Sequence, residues 1–273
     1  MEAQTSNPEA SRVTGIPPVR PQRPRELQDG LNFFLYHPLA WQLARQLAKT
    51  PITPNMVSVL GGLMVVAAGI AYSLPGWPLT ALLGMVLHMT WHVVDGADGD
   101  LARMTGRSSP TGEMVDGLCD YISHTILYLM LGVLLQHQIG WIGWVATVAA
   151  GASHIFQANH CEVQRRQYQY WVYSTPWIRQ TQADVDSTAK AGFGSLLAAY
   201  LSVASGMTPN ALKVDALVAK AKGDTAELER IARTARPQLE PLLAVLKVLG
   251  PNPRAIILGL SMLAGSPLWY FLY

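Results

Sequence analysis

Five long apolar runs restrict what this chain can fold into more than any other feature. A helix needs about 20 apolar residues to cross the hydrocarbon core of a bilayer, which is roughly 30 Å thick. Half of the residues are hydrophobic and only 14% are charged, whereas soluble domains carry about 25% charged residues. The sequence therefore predicts an all-α, polytopic transmembrane helical bundle with spans at about 54–74, 77–102, 112–135, 139–158 and 254–273.

Two short turns constrain how these helices are arranged. Residues 75–76 separate the first two runs, and residues 136–138 separate the third and fourth. Such short connections are typical of antiparallel neighbours in a bundle. The chain stops inside an apolar run, which leaves the count at five spans or six.

The remaining segments are more polar. Residues 1–26 are Pro-rich and are predicted to form a disordered cytoplasmic tail, followed by a membrane domain over 27–273. Within that domain, 27–49 mixes apolar and basic residues, which fits an amphipathic helix at the membrane interface or an ordinary packing helix. Residues 163–236 are predicted to be a mostly cytoplasmic or interfacial insertion, and its weakly apolar part, 189–205, favours an interfacial helix over a short span.

Charge distribution predicts the orientation. The tail, the 103–111 linker and the 163–236 segment are all basic, whereas the two short turns contain no Lys or Arg. Basic loops stay on the cytoplasmic side, so these three regions are placed in the cytoplasm. The net charge of +2 does not indicate a nucleic-acid partner. The two cysteines have no metal-type spacing.

Four aspartates lie around the end of the second run. Asp95 and Asp98 are three residues apart, and Asp116 and Asp120 are four apart on the next run, so each pair shares a helix face. Carboxylates at membrane depth are costly and mark a functional site. If the linker brings the two faces together, the four charges repel one another unless a cation lies among them. Mg²⁺ prefers a few carboxylates together with substrate phosphate, so the spacing predicts a metal site for a phosphorylated ligand.

Neighbouring residues fit the same hypothesis. Gly99 and Ala102 are small and leave room for a bulky ligand beside the helix. Arg103 offers a planar fork suited to phosphate. Asp100 lies off the face of the other aspartates and is expected to be solvated or to play a supporting role. His88 and His92 share a face with Asp95, where hydrogen bonding within the bundle is favoured over metal ligation.

This stretch resembles the signature of the CDP-alcohol phosphotransferase family. That signature reads D-x-x-D-G-x-x-A-R, eight residues, then G-x-x-x-D-x-x-x-D, and every fixed position matches between Asp95 and Asp120. The Thr53-Pro54-Asn55 sequence that opens the first span also resembles that family.

The resemblance implies a role for each matched residue. Asp95, Asp98, Asp116 and Asp120 would hold two divalent ions, Mg²⁺ or alternatively Mn²⁺, and Asp120 would also be the catalytic general base. A CDP-linked donor would contact the residues around the motif and at the start of the first span: Gly99, Ala102, Arg103, Ser109, Pro54 and Asn55. An acceptor hydroxyl would then displace CMP, in phospholipid synthesis.

Substrates and partners are less constrained. Donor and acceptor would include one lipid, and the sequence is similar both to the amino-alcohol branch and to the inositol-phosphate branch. Arg165 and Arg166 would be either membrane-orienting residues or a site for an acceptor or lipid phosphate. The resemblance also implies a homodimer, and the chain size suggests a bacterial inner membrane with the active site facing the cytoplasm.

Two other functions stay open on the residues alone. A membrane prenyltransferase also uses Asp-rich pairs with Mg²⁺, but usually on well-separated helices. A divalent-cation transporter would need charged or broken helices elsewhere at the membrane midplane. A CDP-linked donor and the release of CMP distinguish the favoured function from both.

Overall fold

The structure is a computed structural model that describes residues 23–175 and 211–273. Every regular element in these ranges is helical, which confirms the predicted all-α class. The predicted interfacial segment 189–205 lies outside the described residues, as does most of the predicted tail 1–26. The chain divides into two compact units, Met1–Ser153 with Pro251–Tyr273, and His154–Gly250.

Among the described residues, seven α-helices lie wholly or partly in the first unit, and the fifth continues into the second. In chain order they are α1 (His37–Leu47), α2 (Pro54–Ser73), α3 (Leu79–Thr105), α4 (Pro110–Ile139), α5 (Ile142–Tyr173), α8 (Pro251–Leu263) and α9 (Leu268–Leu272); α6 (Ala211–Lys220) and α7 (Thr225–Leu246) belong to the second unit.

The first four predicted spans each correspond to a helix. Helix α2 matches its prediction to within one residue, and α3 and α4 differ by a few residues at each end. Helix α5 continues to Tyr173, well past the predicted end near residue 158. Arg165 and Arg166 are therefore helical residues.

The fifth predicted span is not one continuous helix, which corrects the sequence prediction for 254–273. Helix α8 ends at Leu263, and Gly265 adopts a positive φ of 85° before the short helix α9 begins. The Ser261 hydroxyl donates to the Ser266 carbonyl at 2.5 Å and accepts from the Tyr270 backbone N–H at 3.0 Å. These bonds hold α9 back against α8, so the apolar run turns where the sequence predicts a straight span.

Three helical stretches among the described residues are long and apolar enough to cross a membrane: Pro54–Ser73, Thr111–Ile139 and Thr225–Leu263. The first two coincide with predicted spans. Helix α3 contains histidines and aspartates in its second half, which lower its apolar character. The chain is thus a helical membrane bundle, and the count of five or six spans stays a prediction.

Two of the long helices begin with the same local signal. Thr53 precedes Pro54, and its side chain accepts a hydrogen bond from the Met56 backbone N–H at 3.3 Å. Ser109 precedes Pro110 in the same way and accepts from the Gly112 N–H at 3.0 Å. A hydroxyl cap satisfies an N–H that the helix leaves unbonded, while proline suits the first helical position.

Helix α1 has two apolar faces. It follows a π-helical turn over Asn32–Tyr36, and its Ala40 and Ala44 are fully buried in a cluster with residues of α3. Phe34 in that turn is 73% exposed, and Leu39 of α1 is 41% exposed. Helix α1 therefore packs within the bundle, and its placement at the membrane interface stays a prediction.

Helix α2 packs between α3 and α4. At Gly61 a Cβ would lie 3.3 Å from the Trp91 ring of α3, and at Gly62 one would lie 3.4 Å from the Cys119 carbonyl of α4. Small residues allow helices in membranes to approach closely. These adjacent glycines let α2 hold both neighbouring helices at short range.

The second unit has its own small core. Trp171, at the end of α5, is buried with residues of α6 and α7, and its indole N–H donates to the Asp215 carboxylate at 2.7 Å. The described parts of the predicted insertion 163–236 are mostly helical, with breaks at 174–175 and 221–224.

Gly84 of α3 allows a test of this packing. A Cβ at this position would lie 2.6 Å from the ring of Tyr72, which is buried. We expect Gly84→Ala to lower the free energy of unfolding by about 1–3 kcal/mol, because the ring has no room to withdraw. Thermal unfolding of the protein in detergent measures the change.

Gly151→Ala is the matched control, since an added Cβ there would lie an ordinary 3.6 Å from the Tyr128 ring. Equal melting temperatures for the two variants would contradict this packing.

Candidate active site

Four carboxylates meet between helices α3 and α4. One ligand oxygen from each of Asp95, Asp116 and Asp120 lies within 4.8 Å of the others. Asp98 lies beside this group and lines the same cleft as Asp116. The structure thus brings together all four aspartates that the sequence analysis singled out. We call them the carboxylate cluster.

The donor chemistry of the cluster suits a hard divalent cation. Such ions take oxygen ligands, and carboxylates are their usual protein ligands. Without a cation, several carboxylates at this separation in a low-dielectric bundle repel one another. The cluster therefore fits a metal ion, and its role as a metal site stays a prediction.

A cleft opens beside the cluster. Its volume is about 480 Å³ when the solvent-filled space of its open mouth is included. Its walls come from the start of α2, the end of α3, the connecting loop and the start of α4: Pro54, Asn55, Ser58, Asp98, Gly99, Ala102, Arg103, Arg107, Ser108, Ser109, Gly112, Glu113 and Asp116.

All six residues expected to contact the CDP group line this one cleft. Asp98 and Asp116 belong both to the cleft and to the carboxylate cluster. A phosphorylated ligand in the cleft would therefore lie against the cluster. Asp98 and Asp116 thus form a wall shared by the cleft and the carboxylate cluster.

Ser58 is a site residue that the sequence analysis missed. Its hydroxyl donates to Asp98 Oδ2 at 2.5 Å, and both residues are buried. A hydrogen bond of this kind fixes the orientation of the carboxylate. Ser58 lies one helical turn after Pro54, so its position on the same face as the predicted donor contacts was a usable signal.

Arg103 is the cationic residue of the motif, and its side chain is half exposed. The guanidinium lies over Gly99, where a Cβ would be 3.5 Å from Arg103 Nη1. Arg103 Nη2 donates to Asp100 Oδ1 at 2.5 Å. Asp100 is buried, so the expectation that it is solvated is wrong, whereas the expected supporting role agrees with this contact. Arg107 adds a second cation that was not expected to contact the ligand.

The histidines of α3 form an aromatic group. His88 and His92 are buried, with ring centroids 6.3 Å apart, and both pack against Trp91. Within the described residues, the side chains placed to share a metal ion are aspartates alone. This agrees with the preference for a packing role over ligation.

Arg165 and Arg166, the proposed acceptor-phosphate residues, lie in the second unit and share one carboxylate. Arg165 forms two hydrogen bonds of 2.7 Å to Glu162, and Arg166 forms one of 2.6 Å. Partial burial acts to raise the pKa of Glu162, but these hydrogen bonds and charges outweigh it and lower that pKa. Glu162 is therefore ionised at neutral pH and offsets part of the positive charge. Each guanidinium is still more than two-fifths exposed.

Comparison with known proteins identifies the family. A family model for CDP-alcohol phosphatidyltransferase matches residues 51–211, which is more than half of the chain. The chain belongs to the CDP-alcohol phosphatidyltransferase family. The resemblance noted in the sequence is thereby confirmed.

Several curated proteins are similar over part of their length. An uncharacterized CDP-alcohol phosphatidyltransferase class-I family protein of Dictyostelium discoideum is 26% identical over 38% of this chain and 28% of its own. Cholinephosphotransferase 1 of Xenopus laevis is 32% identical over 36% of this chain and 26% of its own. Archaetidylinositol phosphate synthase of Aeropyrum pernix is 29% identical over 40% of this chain and 54% of its own. The matched region thus spans about a quarter to a half of these relatives.

Asp116 allows a test of the metal site, because it belongs to both the cluster and the cleft. In Asp116→Asn the loss of one charge relieves repulsion, so the metal-free protein should melt higher than wild type. The variant should also lose most of the stabilisation by Mg²⁺, with an affinity weakened at least about tenfold. Thermal unfolding across a Mg²⁺ titration measures both effects.

The control for this experiment is Glu240→Gln, which removes an exposed carboxylate on α7. Its Mg²⁺ response should match that of wild type. An unchanged Mg²⁺ response in Asp116→Asn would show that the cluster does not bind the ion.

Proposed function

We propose that this chain is a membrane transferase that moves a phospho-alcohol or phosphatidyl group from a CDP-linked donor to a hydroxyl acceptor, releasing CMP in phospholipid synthesis. The observation that carries the proposal is the wall shared by the cleft and the carboxylate cluster. A diphosphate in the cleft would lie where the aspartates converge. Family membership supports this chemistry over prenyl transfer and over cation transport.

The donor is proposed to lie in the cleft with its cytidine and diphosphate against the motif residues. Arg103 and Arg107 offer positive charge to the phosphates. Gly99 and Ala102 present little side-chain bulk, which lets a ligand approach the backbone of α3. Pro54, Asn55 and Ser109 complete the lining with an amide, a hydroxyl and backbone groups.

The proposed metal ligands are Asp95, Asp98, Asp116 and Asp120, with Mg²⁺ as the proposed ion, two ions bound, and Mn²⁺ as the alternative. Divalent ions there would supply charge neutralisation and Lewis-acid polarisation of the donor phosphates. Ser58 would keep the Asp98 carboxylate oriented through its hydrogen bond.

Asp120 is the proposed general base. Its carboxylate would accept the proton of the acceptor hydroxyl as that oxygen attacks the β-phosphorus of the donor. The new oxygen–phosphorus bond forms as the bond to CMP breaks, and CMP leaves with the electron pair. Arg103 would stabilise the negative charge that develops on the leaving phosphate.

The named relatives represent different head groups, a cholinephosphotransferase and an archaetidylinositol phosphate synthase. The proposal therefore extends to either a CDP-linked lipid with a water-soluble acceptor or a CDP-linked head group with a lipid acceptor. Arg165 and Arg166 remain the proposed contact for an acceptor or lipid phosphate.

A CMP-release assay tests the reaction. The purified full-length protein in nanodiscs with Mg²⁺ would receive CDP-diacylglycerol, CDP-choline, CDP-ethanolamine or CDP-inositol, each with pooled acceptors. We expect wild type to release CMP from one donor class, and Asp120→Asn to lose at least about a hundredfold in rate because the base is gone.

A control variant and two contrary outcomes define how this assay is interpreted. Glu240→Gln should release CMP at the wild-type rate. CMP production that survives unchanged in Asp120→Asn would remove Asp120 as the base, and wild-type protein that neither binds CDP nor releases CMP would overturn the proposed function.

We also propose that the active site faces the cytoplasm, in a bacterial inner membrane. The basic linker beside the cleft supports this orientation. In a background with Cys119 and Cys161 replaced by serine, Ser108→Cys should react with a membrane-impermeant thiol reagent in inside-out vesicles and not in intact cells. Trp141→Cys, in the turn between α4 and α5 and 73% exposed, should show the opposite pattern. Labelling of Ser108→Cys in intact cells would reverse the orientation.

A further inference from the structure

Asp100 is a buried carboxylate outside the carboxylate cluster. It lies on α3 and is 3% exposed. An ionised carboxylate taken out of water is costly unless cations and hydrogen bonds compensate it. Its partners therefore show what this residue does.

Two arginines donate to the same oxygen of Asp100. Arg103 Nη2 lies 2.5 Å from Asp100 Oδ1, and Arg23 Nη2 lies 3.2 Å from it. Arg103 comes from the same helix and lines the cleft, whereas Arg23 comes from the segment before α1. Asp100 thus connects the N-terminal segment to the proposed donor site.

The segment that presents Arg23 is held in place by Gln28. The buried Gln28 amide donates to the Arg23 carbonyl at 2.7 Å, and its oxygen lies 2.8 Å from His37 Nδ1 in α1. Arg25 Nη1 donates back to the Gln28 carbonyl at 2.9 Å. Arg23 is consequently positioned by a folded turn that is bonded to the first helix.

We propose that Asp100 is a positioning residue that directs Arg103 into the donor cleft, and that Arg23 offsets the charge of Asp100. This inference rests on the proposed function. With Arg23 present, the three side chains together present one net positive charge to the diphosphate. Without it, Asp100 and Arg103 neutralise each other, and the group presents no net positive charge to the anionic donor.

The geometry assigns Arg23 and Asp100 separate effects. Loss of Arg23 removes positive charge but leaves Arg103 bonded to Asp100, so it weakens donor binding. Loss of the Asp100 charge leaves both arginines positive but removes the ion pair that holds Arg103 in place. Donor binding therefore persists, while the leaving phosphate is stabilised less well.

The experiment measures CDP binding by the full-length protein with Mg²⁺, together with steady-state CMP release from whichever donor is active. Arg23→Gln should weaken CDP affinity by up to about fivefold at low ionic strength, as expected for a partly exposed ion pair. Its KM for the donor should rise while its KM for the acceptor is unchanged. Arg23→Lys, which keeps the charge, should restore most of the affinity.

Asp100→Asn and its combination with Arg23→Gln form a double-mutant cycle with the wild type. Asp100→Asn should retain CDP binding and lower kcat about tenfold. In the Asp100→Asn background, Arg23→Gln should change CDP affinity less than about twofold, because the carboxylate that holds Arg23 beside the cleft is gone. A structural role alone would raise both KM values and would not be rescued by lysine.

Arg45→Gln is the matched control, since it removes a positive charge from an exposed position of α1 that lies outside both the cleft and the turn that presents Arg23. It should bind CDP as wild type does. Equal losses in Arg23→Gln and Arg45→Gln, or wild-type affinity in Arg23→Gln, would overturn the role of Asp100. A wild-type protein without CDP affinity would instead overturn the proposed function, and this inference with it.

Discussion

The electrostatic cost of gathering four carboxylates in a membrane bundle is the constraint on which the rest of this structure depends. Charges of the same sign repel strongly where water is scarce, so nothing within the cluster itself holds it together. Packing of the surrounding helices must do so. Helix α2 provides that support: Gly61 lets it approach α3 and Gly62 lets it approach α4. The same helix contributes Ser58, whose hydroxyl bonds to Asp98 and lowers part of the cost. The scaffold therefore favours an arrangement that a bound divalent cation would complete.

The donor cleft is built from the same pieces as the cluster. Three helix ends lie beside the loop that carries Arg107: the start of α2, the end of α3 and the start of α4. Together with that loop they form the walls of the cleft. Asp98 and Asp116 therefore belong both to the wall of the cleft and to the carboxylate cluster. Positive charge comes from Arg103 and Arg107, and the pair of half-exposed Arg103 with buried Asp100 connects the site to Arg23 of the N-terminal segment. The proposed binding and chemistry would thus be concentrated within a few helical turns.

Several features could be predicted from the sequence because they depend on local rules. The apolar runs indicated four of the long helices, and the hydroxyl-proline pairs at Thr53 and Ser109 begin two of them. The prediction of a straight final span was wrong because hydropathy does not register a turn: Ser261 bonds across the break, and Gly265 supplies the positive φ. The extension of α5 was missed for a related reason, since its polar second half lacks the apolar signal used to place spans.

The sequence by itself determined the motif of this family and the pairing of its aspartates. Spacings of three and four residues put each pair of aspartates on one helix face, because helical geometry depends only on position along the chain. Tertiary structure decided which faces meet. Ser58 reaches Asp98 across 40 residues, and Arg23 reaches Asp100 across 77. Contacts at such separations follow from how whole helices pack, a property of shape and burial summed over many side chains. The motif therefore indicated the proposed reacting groups, and the fold determined which distant residues contact them.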